Sequence, residues 1–123
     1  MEIEKISDCG NSPKNQLVED LTIALITGQL QLHTDLVIKD VQWTMVGEKA
    51  LFGRAAVMAE METIQSRSIL KVKIDHAITH GKAGAVHGEV WYEGTREGFC
   101  FFYEFANIKG TSVRQITSYQ LAI

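Results

Sequence analysis

Two side chains in the second half of the sequence have the chemistry of an acid–base pair. His76 lies in a long stretch in which aliphatic and polar residues alternate, and Glu104 lies between Phe102 and Phe105. Burial among apolar groups disfavours the charged form of either side chain, so each could hold or release one proton near neutral pH. If both point into one pocket, they could act as general base and general acid in an isomerisation, dehydration or hydration.

Their orientation depends on the alternation of side chains along extended strands. The aliphatic side of 68–80 comprises Leu70, Val72, Ile74, His76, Ile78 and His80. This alternation predicts that His76 points inward. In 98–106, two sets compete for the core: Phe99, Phe101, Tyr103 and Phe105 on one face, and Cys100, Phe102, Glu104 and Ala106 on the other. The alternative interpretation is that His76 is a core histidine bonded to a backbone carbonyl and that Glu104 faces solvent or a dimer contact.

Neighbouring side chains could hold a ligand beside this pair. If the even-numbered residues of 98–106 face the pocket, Cys100 and Phe102 line it together with Glu104. Thr117 and Tyr119 share one face of the last extended segment, and their hydroxyls could donate to a carbonyl oxygen. A tyrosine that merely covers the edge of the sheet is the alternative for Tyr119.

The motifs predict no metal ion, phosphate group or serine nucleophile. His87 and Glu89 are two residues apart on one side of a strand, but a metal site would need a third ligand from elsewhere. Gly81 and Gly84 belong to a turn, since no Walker spacing or helix follows them. The G-x-S-x-G pattern of serine hydrolases does not occur. We therefore expect no metal and no bound cofactor.

The composition is that of a small, slightly acidic protein. The chain has 123 residues, of which 46% are hydrophobic and 22% are charged, with 15 acidic residues against 12 basic ones. This length corresponds to one domain, and the charge balance gives no electrostatic basis for binding nucleic acid or an anionic membrane surface. The longest aliphatic runs, such as 21–26, are too short to cross a bilayer.

The cysteines and the start of the sequence indicate a cytoplasmic protein. Cys9 and Cys100 are isolated in the sequence, which favours two free thiols in a reducing compartment. A disulfide between them, or a reactive Cys9 on a flexible arm, is the alternative. Residues 1–4 lack the basic start and the apolar stretch of a secretory signal.

The chain begins with an arm that leads into a helix. Residues 1–11 are predicted to form an N-terminal arm, and 12–123 to form a single domain. Ser12 has the properties of an N-cap, and Pro13 fits the first helical position because its missing N–H is not needed there. Gly28 is typical of a C-terminal stop, so the first helix is expected between these signals.

Helical and extended patterns follow one another after this helix. The weaker periodicity of 29–37 predicts a shorter second helix or a helical turn, and 54–66 has the spacing of a third helix. Between them, 41–46 and 51–53 predict a short pair of strands. Four long extended segments with glycine-bearing turns end the chain: 68–80, 83–93, 98–106 and 112–123. Short turns between consecutive strands imply an antiparallel meander.

This order of elements predicts an α+β fold, in which a curved mixed or antiparallel sheet wraps around about three N-terminal helices. One face of the sheet must be buried on the helices. The last three strands carry large apolar groups on both faces. We therefore expect the other face to meet a second copy of the chain in a homodimer.

Three local patterns within this order resemble a known superfamily. They are Asp40-Val41-Gln42-Trp43 followed by Gly47, Phe52-Gly53-Arg54 at the start of the third helix, and 113–119 in the last strand. Together with the element order from Ser12 onward, they resemble the nuclear transport factor 2-like superfamily, in its polyketide-cyclase-like (SnoaL-like) branch. The resemblance implies a cystatin-like α+β cone with a mostly apolar internal pocket.

The resemblance also places Trp43 and Met45 in the wall of that pocket. An indole offers a wide apolar surface and one N–H donor, which would suit an aromatic ligand. Plain core packing explains Trp43 equally well.

The catalytic sets of the superfamily are largely missing. Steroid isomerases of this fold use a tyrosine on the first helix and aspartates in the cone, whereas 12–28 contains no tyrosine and no aspartate follows Asp75. The aspartate–arginine–aspartate arrangement of the epoxide hydrolases is missing from the strand region for the same reason. The two histidines and the tyrosine-bound water of the dehydratases are matched only loosely, by His76, His80 and Tyr119.

We therefore expect a cofactor-independent domain that binds a small apolar or aromatic molecule in its cone. The first alternative is an enzyme of the isomerase, dehydratase or hydrolase type that uses His76 and Glu104. The second alternative is a protein-association module whose outer sheet face carries the function.

Overall fold

A computed structural model describes residues 1–5 and 12–123 of the chain. The strands are β1 (Glu2–Lys5), β2 (Val37–Met45), β3 (Lys49–Phe52), β4 (Ile69–His80), β5 (Ala83–Tyr92), β6 (Thr95–Phe105) and β7 (Val113–Ala122), and the helices are α1 (Pro13–Thr27) and α2 (Arg54–Gln65). Cys9 and the part of the predicted arm from 6 to 11 lie outside the described residues. No helix in the described ranges is both long and apolar enough to cross a membrane.

The seven strands form one curved, open sheet in the order β1-β4-β5-β6-β7-β2-β3. The run from β4 to β7 is antiparallel, as the short turns predicted, while β1 pairs with β4 and β2 pairs with β7 in parallel. Both helices pack on one face of this sheet, which we call the inner face. The predicted α+β architecture with a mixed, curved sheet is confirmed.

The first helix begins and ends at the predicted residues. The Ser12 Oγ accepts a hydrogen bond from the Asn15 backbone N–H at 3.1 Å, and Pro13 follows as the first helical residue. Gly28 adopts a left-handed conformation with φ of 73° and donates its N–H to the Ala24 carbonyl. Leu21 and Leu25, in the apolar stripe of α1, are completely buried.

The described residues form two α-helices rather than the predicted three or so. The segment predicted as a second helix or helical turn forms two 3-10 turns, Leu30–Leu32 and Thr34–Leu36. Leu30 is the only buried residue of these two turns, and Leu32 is exposed. A longer helix needs an apolar stripe over several turns to bury, and this segment does not have one.

A bulge in β4 reverses the alternation that the sequence predicted. Ile74 pairs with Gly88, but His76 pairs with His87, so Asp75 is an extra residue on β4. Val72 and Ile74 point inward as predicted, whereas beyond the bulge Ala77 is buried and His76 is exposed. The two strands approach so closely here that a Cβ on Gly88 would overlap the Lys73 carbonyl oxygen. The prediction that His76 points inward is therefore wrong.

The ambiguity in β6 is resolved in favour of the odd-numbered residues. Phe99, Phe101, Tyr103 and Phe105 are buried on the inner face. Cys100, Phe102 and Glu104 point to the opposite face, which we call the outer face. The β6 strand therefore supplies four aromatic rings to the core, and it places Cys100 and the more exposed Phe102 on the outer face.

Candidate functional site

A cavity of about 310 Å³ lies between the two helices and the end of the sheet where β5 ends and β6 begins. Its wall comes from α1, α2, β2, β5, β6, β7 and the turns after β2 and α2. The lining residues are Leu25, Ile26, Trp43, Met45, Glu48, Glu60, Thr63, Ile64, Arg67, Tyr92, Glu97, Phe101, Ser118 and Gln120. This volume lies at the small end of the range for ligand pockets, and roughly 150 Å³ is enough to hold benzene.

The apolar side of the cavity is an aromatic wall held in a fixed orientation. The Trp43 and Phe101 rings are 6.2 Å apart between centroids and tilted by 44°. Trp43 donates its indole N–H to the Ser118 Oγ at 2.9 Å, and β2 and β7 pair side by side at these positions. The indole N–H is thus used inside the protein, so Trp43 presents its ring and not the predicted donor to the cavity.

The polar side of the cavity is a network around one tyrosine. Gln120 donates through Nε2 to the Tyr92 hydroxyl oxygen at 3.0 Å and to the Glu97 carboxylate at 2.8 Å. The Arg67 guanidinium lies 3.7 Å from the centre of the Tyr92 ring and 3.3 Å from Glu97 Oε2. A cation over an aromatic face is a stabilising contact, so Arg67 holds both the ring and the carboxylate.

The Tyr92 hydroxyl remains a hydrogen-bond donor at neutral pH. Burial raises its pKa, the positive charge of Arg67 opposes this shift, and the negative charge of Glu97 adds to it. Its oxygen already accepts a hydrogen bond from Gln120, and among the described residues no acceptor is found for its own proton. The hydroxyl can therefore donate to an oxygen of a molecule in the cavity.

The charged groups at the cavity favour neutral or cationic ligands. Three carboxylates line it, from Glu48, Glu60 and Glu97, against the single cation Arg67. Lys49 forms an ion pair with Glu60 at 2.8 Å from outside the lining set. An anionic ligand would meet more negative than positive charge, so the electrostatic environment opposes its entry.

A second cavity, of about 330 Å³, lies on the far side of α1 near β1. Its lining includes Asp20, Thr27, Leu32 and His33, and it contains no aromatic ring other than the His33 imidazole. Among the described residues that line it, there is no counterpart of the hydrogen-bonded network around Tyr92. The first cavity is therefore the candidate site.

The structure divides the predicted site residues between the two faces of the sheet. Trp43 and Met45 line the cavity. The other six lie on the outer face: His76, Glu104, Cys100, Phe102, Thr117 and Tyr119. Glu104 forms an ion pair with Arg114 at 2.9 Å, and Phe102 and Tyr119 are in edge-to-face contact at 6.4 Å. The expectation that His76 and Glu104 look into the cone together is therefore wrong.

Sequence analysis missed the polar network of the cavity. The alternation of β5 places Tyr92 on the same face as Val86 and Val90, so its inward orientation was available from the sequence. Glu97 shares the face of Phe99 on β6 but precedes the predicted strand 98–106, and Arg67 belongs to the turn after α2, where alternation gives no direction. Gln120 could be assigned only after the pairing of β6 with β7 was known.

The fold is that of nuclear transport factor 2-like proteins, which confirms the predicted resemblance at the level of the fold. A nuclear transport factor 2-like protein of unknown function from Burkholderia xenovorans is similar over 88% of this chain and 82% of its own, with a TM-score of 0.71 and 15% identity. A candidate SnoaL-like polyketide cyclase from Shewanella denitrificans is similar over 89% and 91%, with a TM-score of 0.71 and 12% identity.

A candidate ketosteroid isomerase from Kribbella flavida is similar over 87% of this chain and 76% of its own, with a TM-score of 0.68 and 16% identity. No protein-family model matches the sequence, and no curated protein sequence does. The fold is thus shared by proteins of unknown function and by proteins named as candidate enzymes, and the low identities carry no residue roles to this chain.

Proposed function

We propose that this chain binds a small, neutral molecule with an aromatic or otherwise apolar body and a carbonyl-type oxygen. The observation that carries the proposal is the Tyr92 hydroxyl, which accepts from Gln120 and keeps its own proton for an acceptor in the cavity. Trp43 and Phe101 supply the apolar wall for the body of the ligand. Met45 also lines the cavity, which supports the prediction that it belongs to the binding site.

The binding experiment uses Trp43 as the reporter. Trp91 lies on the outer face, so Trp91→Phe leaves a single indole in the wall of the cavity. We expect 2-acetylnaphthalene to quench this fluorescence saturably, and naphthalene and 2-naphthoate to bind more weakly because one lacks the acceptor and the other is anionic. In Trp43→Phe, which keeps only Trp91, the same additions should produce no saturable quenching. A wild-type chain that shows no saturable binding of 2-acetylnaphthalene by calorimetry would contradict the proposal.

Tyr92→Phe tests the hydrogen bond to the ligand. Removing one neutral hydrogen bond should weaken binding of 2-acetylnaphthalene by about 2- to 10-fold and leave binding of naphthalene unchanged. Tyr119→Phe is the matched control, because this tyrosine lies on the outer face. Equal losses for both variants, or for both ligands, would show that the Tyr92 hydroxyl does not contact the bound molecule.

A second candidate function is catalysis in the same cavity. It is favoured by one observation: the Glu97 carboxylate and the Tyr92 hydroxyl share the amide of Gln120. A carboxylate base beside a hydroxyl donor could take a proton from the carbon next to a carbonyl while Tyr92 stabilises the enolate oxygen. In deuterium oxide, the methyl protons of 2-acetylnaphthalene would exchange in wild type and not in Glu97→Gln. No exchange above the protein-free rate would reject this candidate.

The outer face supports the further proposal that two copies of the chain associate there. Phe102 and Tyr119 are 49% and 44% exposed and contact each other near the middle of this face. The flanking charges are already paired within the chain, as Glu104 with Arg114 and Asp75 with Lys73. Two copies facing one another would therefore not bring unpaired like charges together. We also propose a cytoplasmic location, because the isolated Cys9 and Cys100 favour free thiols in a reducing compartment.

A further inference from the structure

The bulge in β4 brings two histidines side by side on the outer face. His76 of β4 and His87 of β5 are paired directly across the antiparallel strands, and both are exposed. Their rings are stacked at 5.5 Å between centroids with 22° between planes. The two Nδ1 atoms are 3.3 Å apart. Without the bulge at Asp75, strand alternation would have put His76 on the inner face.

The separation of the two nitrogens fits chelation of one metal ion. Nitrogens bound to a tetrahedral ion at about 2.0–2.1 Å are about 3.3–3.4 Å apart. The two Nδ1 atoms already have this spacing, so an ion could be bound with little change in the distance between them. Because the two histidines are paired across neighbouring strands of one sheet, the backbone fixes their relative position.

The surroundings define what kind of ion would bind. Among the described residues, no group of three His, Cys, Asp or Glu side chains is arranged to hold a metal ion, so the chain supplies two ligands and solvent supplies the rest. The nearest carboxylates along these strands are engaged with cations, Asp75 with Lys73 at 3.4 Å and Glu89 with Arg96 at 3.5 Å. Two imidazoles with water select Cu²⁺, Ni²⁺ or Zn²⁺ and do not suit Mg²⁺ or Ca²⁺.

We propose that His76 and His87 form a two-histidine binding site for a divalent transition-metal ion. The site lies on the face of the sheet opposite the cavity, so it is independent of the small-molecule site. Sequence analysis expected no metal because it found no third ligand beside His87 and Glu89. The bulge places His76 beside His87 on the outer face, and solvent can supply the remaining ligands.

The test is a calorimetric titration of the full chain with Ni²⁺ and Cu²⁺. It is done in a Cys9→Ser/Cys100→Ser background, so that thiols do not compete for the ion. We expect saturable binding that is weakened at least about tenfold in His76→Ala and in His87→Ala. Loss of a residue that only hydrogen-bonds a metal ligand already lowers metal affinity by about tenfold or more, and loss of the ligand itself should lower it at least as much. His80→Ala, on the same strand and also exposed, should keep full binding. Mg²⁺ should give no saturable heat.

Thermal unfolding gives a second measurement that does not depend on the heats. Ni²⁺ should raise the unfolding temperature of the parent and of His80→Ala, because an ion that binds only the folded state stabilises it. His76→Asn and His87→Asn keep polar side chains on the surface and should lose this shift. Absence of saturable binding in the parent, or equal binding by parent and His76→Ala, would show that the two rings are a hydrogen-bonded pair only.

Discussion

Tyr103 shows how one hydroxyl is accommodated in the aromatic core. The ring is buried on the inner face, and its oxygen lies 2.5 Å from Thr22 Oγ1 on α1. Thr22 donates its own proton to the Val18 carbonyl at 2.7 Å, so Tyr103 must be the donor to Thr22. Burial raises the pKa of Tyr103 far above its usual value, and the hydrogen bond to Thr22 only partly opposes this.

A raised pKa in the folded state predicts loss of stability in alkaline solution. The unfolded chain releases the Tyr103 proton above about pH 10, whereas the folded chain keeps it. The contribution of this residue to the free energy of unfolding is therefore complete below pH 10 and falls by about 1.4 kcal/mol per pH unit above it. Urea unfolding of wild type and of Tyr103→Phe between pH 8 and pH 11.5 measures the difference in slope.

The variant separates Tyr103 from other groups that titrate in this range. Tyr103→Phe should cost about 1 kcal/mol at pH 8 for the lost hydrogen bond, and the gap to wild type should close above about pH 10 and then reverse. A constant gap between wild type and Tyr103→Phe over the whole range would mean that burial of Tyr103 does not control the alkaline limb.

At the scale of elements, the end of α1 is fixed by close contact with α2. Gly28 has a φ of 73°, and a Cβ built there would lie 2.8 Å from the Met61 carbonyl oxygen and 2.9 Å from the Gln65 nitrogen. Gln65 also donates to the Gly28 carbonyl, which ties the two helices together. Only glycine satisfies both the left-handed backbone and this approach. The helices that carry Leu25 and Ile64 into the cavity wall are positioned by this junction.

Gly28→Ala and Gly47→Ala separate the backbone effect from the contact. Gly47 has a similar φ of 84° with no atom near its Cβ position, so Gly47→Ala should lower the free energy of unfolding by about 1–2 kcal/mol. Gly28→Ala should lose that amount and a further 1–3 kcal/mol or so, because Met61 and Gln65 must move. Chemical denaturation of both variants provides the comparison. Equal losses would show that α1 and α2 have room to adjust at this junction.

The helices and strands could be predicted from the sequence, but the face of the sheet on which a given side chain lies could not always be predicted. Ser12, Pro13 and Gly28 act through local backbone chemistry, which is why the limits of α1 were predicted correctly. The orientation of His76 depends on a bulge whose partner, Gly88, is more than ten residues away on the next strand. A single inserted residue turns every later side chain to the other face, so an alternation rule fails from that point onward.

At the scale of the whole molecule, the same strands serve two surfaces. The inner side of β6 and β7 provides Phe101, Ser118 and Gln120 to the cavity, and the outer side provides Phe102 and Tyr119. The proposed association of two copies is centred on Phe102 and Tyr119 of β6 and β7, beside the two-histidine site of β4 and β5.

Sedimentation of wild type and of Phe102→Glu tests this association. Wild type should sediment at twice the 13.7 kDa of one chain. Phe102→Glu should sediment as a single chain, because a two-fold contact would bring two new carboxylates into an apolar region. Leu32→Glu makes the same change at an exposed leucine in the turn after α1, away from the outer face, and should remain a dimer. A wild-type chain that stays monomeric at its highest soluble concentration would mean that the apolar groups of the outer face are solvated or meet another partner.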